Sequence, residues 1–269
     1  MTFVNPGPAW LFCPADRPDR YEKAAKAADV AIIDLEDAVA PDDRPGARKA
    51  LANSDLDPAT TVVRINPFGT DDHERDLGAL AATAYTTVMV PKAEHPDRLL
   101  AGGDYDVIAL LETPAGVMRA LDIASADPVV GVMWGAEDLV AAIGGASSRR
   151  DDGSYRDVAR HARSVSLLAA AAAGRFALDT VHLDIPDVDG LRDEAVDAAA
   201  VGFAATVAIH PSQIAVIRAA YRPDGDELEW ARAVVDEASR QPGVFSFRGT
   251  MVDAPVLTRA RNLLTRAGA

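Results

Sequence analysis

The sequence predicts a (β/α)8 barrel, and three observations predict it. Short β-branched runs recur at fairly even intervals along 269 residues, helical patterns fill the spaces between them, and most runs are continuously apolar rather than alternating. Strands buried on both faces read this way, as in parallel sheets covered by helices. A doubly wound open sheet is the alternative. No G-x-G-x-x-G follows the first run, so a dinucleotide-binding unit lacks its main support.

Each element follows in order. The first strand, residues 10–13, runs out into Pro14-Ala15-Asp16-Arg17, and a helix over 21–28 carries Ala24, Ala25 and Ala28 on one side. The second strand, 30–35, is followed by Glu36 and Asp37. The third, 61–66, contains Arg64 and ends in Asn66; a helix over 75–82 leads to the fourth strand, 86–90, and to Pro91-Lys92. The fifth, 106–111, is followed by Glu112-Thr113 and a helix over 115–124. The sixth, 129–134, is followed by Gly135-Ala136-Glu137-Asp138. The longest helix, 157–173, stops at Gly174 as a C-cap would stop it. The seventh strand, 178–183, ends at Asp184; a helix over 188–200 leads to the eighth, 206–209, and to His210-Pro211. Helices near 212–221, 226–239 and 255–267 complete the chain, with 245–255 read as a loop. The expected organisation is a catalytic barrel over 1–220 and a helical extension over 221–269.

Composition narrows the function. Hydrophobic residues make up 49% and charged ones 25%, as in an ordinary globular protein, and no apolar run reaches the length of a membrane span. With 27 basic against 41 acidic residues, the net charge is −14, which argues against a general nucleic-acid binder. The single cysteine, Cys13, excludes an internal disulfide framework, and the N-terminus shows no secretory pattern. A cytoplasmic enzyme is the expectation.

In a barrel, residues at the C-terminal ends of strands face the active site. Acids stand at four of the eight strand ends, beside an arginine and a lysine. One such acid alone reads as a helix cap. Together, Glu112 and Asp138, from adjacent strands, are hard oxygen ligands suited to Mg²⁺. Arg64 lies inside an apolar strand, where a guanidinium needs an anionic partner. That partner is Glu36 or Asp37, or a substrate carboxylate, or each in turn. Lys92 reads either as a solvated loop lysine or as part of the site, and His210 and Cys13 read as structural. Arg17, Arg20, Lys23 and Lys26 form the most basic local stretch, interleaved with acids as on a solvated helix face.

Seven pieces carry a family likeness: LEDAV at 35–39, RIN at 64–66, PKAE at 91–94, ETPAG at 112–116, GAEDL at 135–139, IHPSQI at 209–214 and MVDAP at 251–255. In this order the chain resembles the citrate lyase β-subunit-like group of the HpcH/HpaI aldolase family, whose relatives include malyl-CoA and citramalyl-CoA lyases. The resemblance implies Mg²⁺ held by Glu112 and Asp138, with Glu36 and Asp37 around it. It implies that Arg64 binds the carboxylate of an α-keto acid, and that Gly135, Ala136 and Glu137 line the substrate pocket. Pro14, Arg17, Arg20 and Lys23 would receive coenzyme A. Asp253 would complete the site of a neighbouring subunit in a homotrimer and act as the base.

The implied reaction is cleavage or formation of a short 3-hydroxyacyl-CoA, giving acetyl-CoA and an α-keto acid. It needs a metal, a charge-stabilising arginine and a carboxylate base, and no covalent nucleophile. Two other readings are a citrate lyase β subunit acting on an acyl-carrier thioester with partner subunits, and a metabolite-binding barrel without turnover.

Overall fold

The eight apolar runs pair in sequence order, each strand parallel to the one before it. They are β1 (Ala9–Pro14), β2 (Val30–Asp34), β3 (Thr61–Arg64), β4 (Thr87–Val90), β5 (Asp106–Leu111), β6 (Val129–Trp134), β7 (Phe176–Asp179) and β8 (Ala205–Ala208). β8 pairs with β1, closing the barrel that the sequence predicts. The computed structural model describes residues 2–99, 104–241 and 243–268. The chain divides into two compact units, Met1–Ile217 and Arg218–Ala269.

Alternate residues fill the barrel: Trp10, Ile32, Val62, Met89, Ile108, Leu110, Met133, Leu178 and Val207 form one buried cluster. Because side chains alternate along a strand, the interior row continues two residues at a time toward the C-terminal ends. From Ile32 it reaches Asp34 and Glu36; from Val62, Arg64; from Leu110, Glu112; from Met133, Gly135. At the C-terminal ends the apolar packing therefore gives way to charge, which positions the site.

The surrounding helices are α1 (Tyr21–Ala27), α2 (Arg44–Ala52), α3 (Asp71–Leu80), α4 (Pro114–Met118), α5 (Ala120–Ala124), α6 (Ala136–Ala142), α7 (Asp157–Ala172), α8 (Val188–Val201) and α9 (Pro211–Tyr221). Several differ from the sequence expectation. α2 and α6 were not expected. α3 begins before residue 75 because the Thr70 hydroxyl accepts from the His73 amide and starts it early. The helix expected over 115–124 breaks at Arg119, whose backbone is not helical. β7 starts and stops earlier than expected: its ladder with β8 ends at Asp179, and Leu183 is half exposed. Asp184 is therefore not a strand-end acid, and Asp179 takes that place.

The second unit has its own core. α10 (Gly225–Arg240) opens with a reciprocal capping box between Asp224 and Glu227. Residues 245–255, expected as a loop, instead form a hairpin of β9 (Phe245–Phe247) and β10 (Thr250–Val252). Arg248 and Gly249 make its turn, both at positive φ as a two-residue hairpin requires. α11 (Ala254–Arg266) follows, and Ala231, Val234, Phe245, Val252, Ala260 and Leu263 pack together.

Candidate active site

Asp34 and Arg64 stand opposite each other in the β2–β3 ladder, on the interior row. The Arg64 Nε donates to Asp34 Oδ1 at 2.7 Å and its Nη2 to Asp34 Oδ2 at 2.5 Å, a bidentate pair. Its remaining nitrogen, Nη1, lies 3.0 Å from Glu36 Oε2 and 3.9 Å from Asp37. The Phe12 ring lies 4.6 Å from the guanidinium. Burial disfavours the Arg64 charge, but the charges of Asp34, Glu36 and Glu112 outweigh it and hold its pKa above the ordinary arginine value. The partner expected from sequence was Glu36 or Asp37. Glu36 is a partner, Asp37 is exposed and more distant, and the principal one is Asp34, which sequence reasoning did not single out. Asp34 is itself held in place, accepting from the amides of Glu36 at 2.9 Å and Ala38 at 3.1 Å.

Glu36 joins this pair to a second group of charges. The Lys92 ammonium donates to Glu36 Oε1 at 2.6 Å, and lies 3.4 Å from Asp138 and 3.6 Å from Glu112. The Lys92 amide also donates to Glu112 Oε1 at 3.1 Å. Lys92 is thus part of the site rather than a solvated loop lysine. The signal available in the sequence was its strand-end position. Burial pushes the Glu112 carboxyl up to about 8, with Asp138 and Glu36 adding to the rise and Lys92 and Arg64 opposing it. Burial likewise raises Glu36, against the charges of Arg64 and Lys92. Burial works against the Lys92 ammonium as well, but its bond to Glu36 and the nearby acids hold it above its usual range.

Glu112 fits because residue 135 is glycine. A Cβ at Gly135 would come within 2.8 Å of both Cβ and Oε2 of Glu112. α6 begins there, and Asp138 in its first turn reaches the same space from the next strand. Glu112 and Asp138 are two hard oxygen donors from adjacent strand ends. Among the described residues no three His, Cys, Asp or Glu side chains gather to hold a metal ion. Two carboxylates with the remaining positions open is how Mg²⁺ is commonly held, with water and substrate completing its shell. Of the other residues in this motif, Ala136 is buried, and exposed Glu137 accepts from the Ser148 hydroxyl at 2.5 Å.

The basic residues line a cleft of about 640 Å³ with Phe12, Pro14 and His210. Pro14, Arg17, Arg20 and Lys23, all expected from sequence, lie along it. Arg17 is held by Asp19 in a bidentate pair at 3.0 Å, whereas Arg20 and Lys23 have no carboxylate partner among the described residues. Phe12 lines this cleft and also stacks near Arg64, so one aromatic ring borders both. Cys13 is buried, and burial pushes its thiol up to about 11, as for a structural rather than a reactive cysteine. Asp253 belongs to the second unit, where its side chain accepts from the Val256 amide at 3.2 Å and caps α11.

The family described as HpcH/HpaI aldolase/citrate lyase matches residues 9–211. A citrate lyase subunit beta-like protein of Mycobacterium tuberculosis is 63% identical over 268 residues, covering 100% of this chain and 98% of its own. The mitochondrial citramalyl-CoA lyase of Mus musculus is 31% identical over 296 residues, covering 97% of this chain and 86% of its own. A crystal structure of CitE from Mycobacterium tuberculosis, in complex with magnesium, acetoacetate and coenzyme A, matches with a TM-score of 0.95 and 62% identity over 98% of both chains. The chain therefore belongs to the HpcH/HpaI aldolase/citrate lyase family and is a carbon–carbon lyase.

Proposed function

We propose that the chain is a Mg²⁺-dependent lyase that cleaves, or forms in reverse, a short 3-hydroxyacyl-CoA carrying a second carboxylate. Citramalyl-CoA and malyl-CoA are the expected substrates, and the products are acetyl-CoA and an α-keto acid. One observation carries the reading: Glu36 bridges Arg64 to the cluster of Lys92, Glu112 and Asp138. An anion-binding guanidinium and two metal-suited acids thus flank a single carboxylate. The likeness to the mouse citramalyl-CoA lyase and to the CitE complex with magnesium and coenzyme A supports the same chemistry.

Glu112 and Asp138 would hold the metal. When bound, Mg²⁺ supplies Lewis acidity and a template for the keto oxygen and the neighbouring carboxylate. Arg64, oriented by Asp34, draws in the keto-acid carboxylate and stabilises charge on the oxygen that changes from hydroxyl to ketone. Glu36 and Asp37 complete the polar surround. Arg20 and Lys23 receive the phosphates of coenzyme A, with Arg17, Pro14 and the 135–137 turn bordering the ligand. As the hydroxyl becomes a ketone it gives up its proton, and breaking the carbon–carbon bond leaves the bond's electron pair on the acetyl carbon as a thioester enolate, which takes up a proton, so that none is gained or lost overall. We assign this transfer to Asp253, brought by the 221–269 extension of a neighbour within a homotrimer. An acidic chain with one cysteine suits a cytoplasmic setting; no helix among the described residues is long and apolar enough to cross a membrane.

The test is a screen of CoA thioesters with the isolated protein, with and without Mg²⁺, reading pyruvate, glyoxylate and oxaloacetate by mass spectrometry. Metal-dependent release of one keto acid with acetyl-CoA is expected. Turnover only of acyl-carrier thioesters in the presence of partner subunits would replace this reading with that of a citrate lyase β subunit. No turnover of either class would leave a binding protein.

A further inference from the structure

Lys92 has no role in the reaction as proposed, yet the structure holds it firmly. Its φ of 51° lies in the left-handed region, where a residue with a long side chain rarely sits. Strain of this kind persists where surroundings over-determine it, and it concentrates at functional sites. Here its own amide is bound by Glu112, and the next amide, Ala93, donates to the Leu110 carbonyl at 3.1 Å. The unusual backbone aims the side chain back over the strand ends, into contact with three carboxylates.

The charges explain why an ammonium belongs there. Asp34, Glu36, Asp37, Glu112 and Asp138 carry five negative charges when ionised; Arg64 and Lys92 carry two positive ones, leaving an excess of three. A divalent cation offsets most of that excess. Until it arrives, buried Glu112 and half-exposed Asp138 face each other with the Lys92 ammonium as their nearest cation. Burying facing carboxylates without a counter-charge is costly. Two cations on the same pair of carboxylates would repel each other. The ammonium also has a place to go, because its shortest contact is to Glu36, at 2.6 Å, rather than to either of those acids.

We propose that Lys92 is an internal counter-ion that, anchored on Glu36, stays beside Glu112 and Asp138 until the divalent cation enters, and then moves away from those two acids while keeping its bond to Glu36. This rests on the reading that Glu112 and Asp138 hold Mg²⁺. Lys92 therefore competes with the metal, keeping the metal-free site folded and lowering its Mg²⁺ affinity.

Calorimetric titration of Mg²⁺ into the full-length protein tests this without reference to turnover. Lys92→Met should bind Mg²⁺ about 10-fold more tightly than wild type, because the competing charge is gone. The metal-free variant should melt below the metal-free wild type, with Mg²⁺ closing the gap. Lys92→Arg, which keeps the charge, should bind close to wild type. Normal wild-type binding with equal or weaker binding by Lys92→Met overturns the counter-ion role alone. A wild type that binds no Mg²⁺ overturns the metal assignment and the counter-ion role together. Should Lys92→Met fail to fold, crystals of the wild type grown with and without Mg²⁺ decide the matter. The ammonium must move away from Glu112 and Asp138 on loading, and an ammonium that keeps both contacts with Mg²⁺ bound overturns the proposal.

Discussion

Arg64 commits two of its three guanidinium nitrogens to Asp34 and turns the third toward Glu36. The pair with Asp34 fixes the plane of the fork, so the keto-acid carboxylate proposed to bind here would meet an oriented donor. A lysine at this position keeps the charge but has one nitrogen to serve both directions. Arg64→Lys is expected to lower kcat/KM for the CoA thioester by about 100-fold, close to 3 kcal/mol of transition-state stabilisation. Steady-state kinetics on the folded variant check this, and a specificity constant equal to that of wild type would remove Arg64 from the site. The charge inside an apolar strand was legible in the sequence, and so was its need for an anion. Its main partner was not, because Asp34 meets Arg64 through the register of two strands 30 residues apart. Lys92 was ambiguous for the same reason: its position was legible, but its three acidic neighbours come from three other segments.

Among the elements, α2 and α3 are tied by charge. Asp72 on α3 lies 2.6 Å from both Arg44 and Arg48 on α2 and 3.3 Å from Arg75. Hydrogen bonds from Arg44 and Arg48 hold its carboxyl down at about 2, against an ordinary value of 3.8. A folded pKa below the unfolded one stabilises the protein above the unfolded pKa, and the effect fades as pH falls through the folded one. Asp72→Asn should therefore cost about 2 kcal/mol at pH 7, with the difference from wild type closing between about pH 4 and pH 2. Denaturant unfolding at several pH values measures this, and a deficit of constant size across that range would contradict it. α2 escaped the sequence reading because Pro45 and Gly46 look like a turn. Proline suits the first turn of a helix, and buried Ala47, Arg48 and Leu51 anchor the rest. The β9–β10 hairpin escaped because its strands are three residues each, too short for any alternation to register.

At the scale of the whole molecule, the role proposed for Asp253 is what a test of one chain against several must address. Its side chain caps α11 within the second unit, as a residue before Ala-Pro at a helix start commonly does. That bond uses one carboxylate oxygen, leaving the other for the proton transfer proposed above. Asp253→Ala and Glu112→Ala should each be inactive. If Asp253 serves a neighbour's barrel, mixed oligomers of verified composition should regain activity. With random equal mixing, about a quarter of sites would combine an intact Glu112 with a neighbour's intact Asp253. Mixtures that stay inactive would falsify the shared site and leave Asp253 as a helix cap.

The sequence by itself determined the barrel, because continuous apolar runs spaced by helices have few ways to bury both faces. It also singled out charged residues at the strand ends: Glu112, Asp138, Arg64 and the basic residues from Arg17 to Lys23 stand where the apolar pattern breaks. Those are local facts, readable from one segment at a time. The tertiary structure alone decided who meets whom. Asp34 became the partner of Arg64, Glu36 the bridge between two charged groups, Gly135 the gap that admits Glu112, and Lys92 the cation among three acids. Electrostatic energy depends on separations of a few ångströms between side chains far apart in the chain. Those separations are set by barrel closure and strand register, which no single segment contains.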